Sequence, residues 1–231
     1  DEEFIPTNPC KKVQLPKDEP KEMQTLKASE LAAFLQETKD SGCYEFYLLE
    51  ITTGLRLGEI LALTWDDLDM KNKTISINKQ VQRIKSELKA TPPKTTASIR
   101  KISICDECLN QLIILRSRQR LNTKLIFPSP ITNGYRDPSS ITRKLHRMQK
   151  RAGVPQIRFH DLRHSFATLS LEQGMDIKTI SHMLGHTDAG FTMNTYMHVT
   201  DSMQQTVANA MGNLVAEKEN EKRIKIIQYT A

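Results

Sequence analysis

Between residues 28 and 69 apolar positions recur at helical spacing and are interrupted by capping residues, so the chain reads as three successive helices. Ser29 is a good N-cap for "SELAAFLQETK", and "CYEFYLLEITTG" follows as a second helix closed by Gly54. The third, "RLGEILALTW", starts almost at once, which puts Arg56 beside a tight turn and a helix N-terminus. After Asp69 the period falls to two. "KTISIN" alternates like a strand, "KQVQRIKSELKA" and "SIRKISI" read as two more, and "TPPKTTA" between them has turn chemistry, which gives a small antiparallel sheet whose hairpin tip carries Lys94.

Helical spacing then returns at about 106 to 121, at 138 to 152 with Asp137 as cap and Pro138 in the first turn, and at 160 to 173 closed by Gly174. Shorter helices are expected at about 176 to 184, closed by Gly185, and near 189 to 198, with a longer one at 201 to 216. The expected fold is mainly α with one small antiparallel β-sheet. Residues 1–27, with "PTNP", "LPKDEP" and many charges, form no core of their own and read as an interdomain linker following an upstream domain. The apolar "IKIIQY" after the charge run in the tail, 214–231, wants a partner surface, either on its own domain or on a neighbouring subunit.

Composition narrows the class. A chain of 231 residues, 38% of them hydrophobic, can bury a sizeable core. Lys plus Arg number 33 against 27 acidic residues, a formal charge of +6 that favours an anionic partner. Two segments concentrate it: Lys79, Arg83, Lys85, Lys89, Lys94, Arg100 and Lys101 against Glu87 alone, and Arg143, Lys144, Arg147, Lys150, Arg151, Arg158 and Arg163 against Asp161 alone. Runs of this kind are commonly solvated faces, and they also suit the phosphate backbone of a duplex. There is no apolar run of membrane-spanning length and no secretory leader pattern. Cys10, Cys43, Cys105 and Cys108 include one CxxC, "CDEC", without a second pair or an adjacent thioredoxin-like strand, so it reads as two free thiols at a helix start in a reducing compartment.

All six histidines fall between His146 and His198, and "HDLRH" and "HMLGH" are both HxxxH pairs. A zinc reading fails in detail. Asp161 stands where a metalloprotease needs Glu, and Gly185 ends the helix before His186. No metal site is expected. A phosphate fits better: His160 and Arg163 share a helical face, Arg56 and Arg163 offer forked donors, and His160 and His186 add single ones. Lys94 and Tyr196 are candidates for a leaving-group acid and a nucleophile.

The ordered blocks "TGLRLGEILALTWDDLD", "PPKTTASIRKISI", "HDLRHSFATLSLEQG", "ISHMLGHTD" and "TYMHVT" closely resemble the catalytic domain of tyrosine recombinases, the phage-integrase family, from about Ser29 to about Met211. The long hairpin and the tail look most like integrases of conjugative transposons. The resemblance implies a tyrosine recombinase catalytic domain over residues 28–213. It further implies that Arg56, Lys94, His160, Arg163, His186 and Tyr196 are catalytic and that Glu59 supports them from behind. Tyr196 would attack a phosphodiester to give a 3′-phosphotyrosyl intermediate, and Lys94 would protonate the 5′-hydroxyl, with no cofactor, ATP or metal. The implied partners are double-stranded DNA at element ends and target, sister subunits in a synaptic tetramer, and accessory DNA-bending or excision proteins, in the bacterial cytoplasm at the nucleoid and with no membrane. Lys79, Arg83, Lys85, Lys89, Arg100, Arg143, Lys144 and Arg147 are the expected DNA contacts, and His164 is expected to serve packing or a local hydrogen bond. A type IB topoisomerase and a catalytically silent DNA-binding module are the rival readings.

Overall fold

The computed structural model describes residues 24–93, 98–119 and 123–185. Three helices come first: α1 (Ala28–Asp40), α2 (Tyr44–Thr53) and α3 (Leu57–Ala62). Five short strands follow, β1 (Leu68–Asp69), β2 (Thr74–Ile77), β3 (Gln80–Ile84), β4 (Glu87–Thr91) and β5 (Arg100–Ser103). Four more helices complete the described chain: α4 (Asp106–Arg118), α5 (Pro138–Ala152), α6 (Phe159–Glu172) and α7 (Ile177–Leu184). The helices expected at 189–198 and 201–216, the apolar tail and most of the linker lie outside the described residues. No described helix is long and apolar enough to cross a membrane.

The β region departs from the sequence reading. "KQVQRIKSELKA" is not one strand but two, β3 and β4, paired antiparallel with Ile84 opposite Glu87. The two residues between them, Lys85 and Ser86, both have positive φ, 45° and 71°. That is the backbone of the tight hairpin turns whose twist matches paired strands, and it is ordinarily signalled by Asn or Gly. With Lys-Ser at the turn, the pattern gives no warning. β1, β2 and β5 form a separate three-stranded sheet in the order β1-β2-β5, with Ile75 opposite Ile102 and Ile77 opposite Arg100.

Several helical boundaries follow their caps, but α1 does not start at Ser29: Lys27 is its N-cap, the Glu30 side chain accepts from the Lys27 amide at 2.8 Å, and Ser29 lies inside the helix. Asp137 accepts a hydrogen bond from the Ser139 amide at 2.8 Å with Pro138 in the first turn, and α5 ends at Gly153, φ +67°. The helices enclose a core in which Phe46 sits edge-on to Tyr47 and Phe127, at centroid distances of 5.1 Å for each, and Tyr47 meets Phe34 at 5.2 Å. Leu26, counted with the linker by composition, belongs to this core: it is 1% exposed, and its amide donates to the Ser165 hydroxyl at 2.9 Å. One apolar side chain in a polar stretch gives too weak a periodic signal to find it.

Gly54 ends α2 in the left-handed region, φ +63°, where the chain turns sharply towards Arg56. A Cβ there would come within 2.5 Å of a Phe166 ring carbon and 2.7 Å of a Leu184 methyl. Strain and overpacking together set the expectation that Gly54→Ala destabilises the fold by about 2–4 kcal/mol, measured by urea unfolding. A change below about 0.5 kcal/mol would mean that the α2–α6–α7 junction can open.

Candidate active site

The junction of α2, α3, β5, α6 and α7 gathers arginines from three distant parts of the chain around one carboxylate and the C-terminal end of α7. Arg56 is the N-cap of α3, and Glu59 is its third helical residue; the Glu59 carboxylate accepts from the Arg56 amide at 2.9 Å and from Arg56 Nη1 at 3.0 Å. Arg100, on β5, forks onto the same carboxylate, Nη1 to Oε1 and Nη2 to Oε2, both at 3.0 Å. Its Nε donates to the Met183 carbonyl at 2.7 Å. Arg163, 2% exposed on α6, donates to the Gly54 carbonyl at 2.8 Å and to the Leu184 carbonyl at 2.6 Å. Leu184 O also receives Arg56 Nη1 at 3.4 Å. The last carbonyls of a helix lack partners within it and carry its negative end, so α7 supplies acceptors for all three guanidinium groups.

The burial of Glu59 would by itself raise its carboxyl pKa. The Arg100 fork, the Arg56 amide and the two positive charges more than offset this and hold it below the usual carboxylate range. Glu59 is therefore ionised at neutral pH. Glu50 stands in contrast: it is fully buried on α2, neither carboxyl oxygen has a hydrogen-bond partner among the described residues, and burial pushes its pKa well up against the opposing charge of Arg163. Nothing in the sequence pattern marks Glu50, because a single acidic residue in an apolar helix also reads as a solvent-facing position.

Arg56, His160 and Arg163 line a cavity of about 360 Å³ together with Leu55, Leu57, Thr142, Arg158 and Phe159. Burial, then the charges of Arg163, Arg56 and Arg158, hold the His160 imidazole below its ordinary pKa, with Asp161 opposing, so the ring is neutral at pH 7. Arg158 caps α6 and forks onto Asp161, Nε at 3.0 Å and Nη2 at 2.9 Å. His164 packs edge-on against His160 at 4.7 Å and is buried, and its pKa falls to about 4, chiefly through burial and then the His160 charge. Thus Arg56, Glu59, His160 and Arg163 come together, while Lys94, His186 and Tyr196 lie outside the described residues. No group of three metal-ligating side chains occurs among the described residues.

The expected DNA contacts divide. Arg83, Lys85, Lys89, Arg143 and Arg147 are exposed, and Arg83 bridges the β3–β4 hairpin to the cap of α5 through Asp137 at 2.7 Å. Arg143 and Arg147 border a second depression with Ser140 and His146, a histidine given no role by its spacing. Lys79 and Lys144 are half-buried, with Lys79 Nζ on Asp67 at 2.5 Å and Lys144 Nζ on the Ser41 carbonyl at 3.1 Å. Arg100 must be withdrawn from this set: its side chain is 1% exposed and its donors are spent on Glu59, Met183 and Ser98. Alternation along "SIRKISI" placed Arg100 on either face of a strand; only the fold shows that its face is the inner one.

Residues 23–203 match the model of the phage integrase family, and the chain belongs to that family. It is 30% identical to a tyrosine recombinase XerC-like protein of Caldanaerobacter subterraneus subsp. tengcongensis, over 93% of this chain and 62% of the relative. It is 32% identical to the ICEBs1 integrase of Bacillus subtilis, over 93% of this chain and 61% of the relative. The chain thus spans about three fifths of the length of these curated relatives. In structure it resembles the Tn1549 transposon integrase solved with a circular intermediate DNA, with a TM-score of 0.71 at 20% identity over 83% of this chain and 68% of that one. It also resembles XerA recombinase, with a TM-score of 0.66 at 24% identity over 83% and 66%. The fold is that of tyrosine recombinase catalytic domains, shared with a transposon integrase.

The two pairs anchored on Glu59 differ in burial, and this sets their expected weights. Arg100→Met leaves a buried carboxylate short of its main partner and should cost about 3–5 kcal/mol in urea unfolding. Arg56, about a third exposed at its side chain, should cost under about 1 kcal/mol on Arg56→Ala. Equal costs would show that Arg100 is not the principal counter-charge. His164, neutral in the fold down to about pH 4, stabilises fully above its unfolded pKa near 6.5 and progressively less as pH falls between the two. His164→Leu should flatten stability against pH in that window, and an unchanged slope would locate the acid sensitivity elsewhere.

Proposed function

We propose that this chain carries the strand-cleaving and rejoining centre of a site-specific DNA recombinase, an integrase or transposase of a mobile element. The observation that carries the reading is the convergence of Arg56 and Arg163, from segments 107 residues apart, on the Leu184 carbonyl, both arginines lining one cavity together with His160. Within the Arg56 guanidinium only Nη1 has a hydrogen-bond partner among the described residues, which leaves Nε and Nη2 for an anion. Guanidinium donors held in advance suit a phosphodiester passing through a more highly charged transition state.

The catalytic set is Arg56, Lys94, His160, Arg163, His186 and Tyr196, with Glu59 holding Arg56 from behind. The Tyr196 oxygen attacks phosphorus as it loses its proton, the 5′-oxygen leaves and takes a proton from Lys94, and a 3′-phosphotyrosyl bond replaces the phosphodiester. The 5′-hydroxyl of another strand reverses the step. One phosphoester replaces another, so bond energy is conserved and no high-energy cofactor is required. Arg56 and Arg163 bind the non-bridging oxygens, and neutral His160 can donate one further hydrogen bond.

Residues 28–213 form the catalytic domain, 1–27 lead into it, and 214–231 dock on the same or a neighbouring subunit. The partner is double-stranded DNA at element ends and target, gripped through the exposed basic residues of the β3–β4 hairpin and α5. Four protomers assemble on two duplexes, with accessory DNA-bending or excision proteins, at the nucleoid of a bacterial cell.

A nicked duplex carrying the element's end, incubated with the chain, should give a covalent adduct on a denaturing gel, insensitive to EDTA and absent with Tyr196→Phe. Arg56→Ala and Arg163→Ala should slow its formation by roughly 100 to 1,000-fold or more. An adduct that persists in Tyr196→Phe would falsify the assignment. Relaxation of supercoils by a monomer, without strand exchange, would favour a topoisomerase instead.

A further inference from the structure

The strongest feature outside this site is the pair Cys105 and Cys108. Cys105 is the N-cap of α4, extended at φ −73° and ψ 160°, and exposed; Cys108 is the third residue of the helix and 1% exposed. Residues three apart across a first helical turn have Cα atoms about 5–5.5 Å apart, inside the range that a disulfide spans. The two sulfurs are close enough for the charge of one to oppose ionisation of the other. One thiol that solvent can reach, at a helix N-terminus, with a second shielded one turn on, is the arrangement in which an attacking thiol has its resolving partner at hand. The adjacent charges are mixed: Glu107 is acidic, while Asp106 is paired with Lys73 at 2.5 Å.

The geometry points to Cys105 and Cys108 as a reversible dithiol–disulfide site that reacts with low-molecular-weight disulfides. The Cys105 thiolate attacks one sulfur of the reagent, forming a mixed disulfide and expelling one thiolate. The Cys108 thiol then gives up its proton to solvent and attacks the Cys105 sulfur, expelling the second. Two protein thiols are oxidised by two electrons, and one disulfide is reduced to two thiols. Burial, with the Cys105 charge adding to it, pushes the Cys108 thiol up to about 12, so bulk reagents meet the exposed Cys105 first.

The test is chemical. The full chain is equilibrated with glutathione disulfide, free thiols are blocked with N-ethylmaleimide, and the tryptic peptide Ile102–Arg116, which contains both cysteines and no other, is weighed. The expected product has lost two hydrogens and carries no maleimide. Cys105→Ser, an exposed substitution, should abolish it, and Cys108→Ser should instead trap one glutathione on Cys105. A stable glutathione adduct on Cys105 in the unchanged chain would overturn the proposal. So would a bond from Cys105 to Cys10 or Cys43, or a peptide in which both thiols remain alkylated. Loading by diamide serves as a second measurement should Cys108→Ser not fold, with the same pair expected and any other pairing counting against it.

Discussion

A carboxylate taken out of water either gives up its charge or has it answered by fixed donors, and at Glu59 the second outcome organises the molecule. Its oxygens are held by the guanidinium of Arg100 and by the amide and guanidinium of Arg56, so one side chain fixes the first strand residue of β5 and the first turn of α3. Arg100 in turn reaches Met183 O, which fastens the end of α7 to the same point. The close approach is tight: a Cβ on Gly185 would lie 2.8 Å from Arg100 Nη1. Removing either ion would leave the other buried and short of its main partner, which is why the pair matters more than its net contribution suggests.

The same junction explains how several positive groups share a small space. Carbonyls accept from both Arg163 and Arg100, and Glu59 answers the charge of Arg100 and Arg56, so the mutual repulsion of the arginines is lowered without blocking the cavity side of Arg56. Glu50 is buried without such donors, and burial pushes its carboxyl pKa well up where that of Glu59 is held down. Two buried acidic side chains in neighbouring helices thus shift in opposite directions because one accepts from N–H groups and the other has no hydrogen-bond partner among the described residues.

Much of the helical framework was legible because it rests on local rules. Asp137 and Pro138 start α5, Asp176 starts α7, and Gly54, Gly153 and Gly185 close their helices with positive φ. The β3–β4 hairpin was not legible, since its turn uses Lys85 and Ser86 in a conformation those residues rarely signal. In the site, the block around Arg56 and the one around His160 and Arg163 stood out as motifs, but Arg100 was misread as a surface cation and Glu50 passed unmarked. Both errors concern burial, which one residue's place in a short alternating strand or apolar helix does not fix.

The amino-acid sequence by itself determined where most helices lie, which residue types are available to meet a phosphate, and the family to which the chain belongs. These depend on caps, spacing and ordered motifs, all of which are local along the chain. The tertiary structure alone decided that Arg56, Arg100 and Arg163 share the end of α7, which of them face the cavity, and that Leu26 is core. Those facts depend on packing between segments up to 139 residues apart, where the cost of burying charge selects the partners.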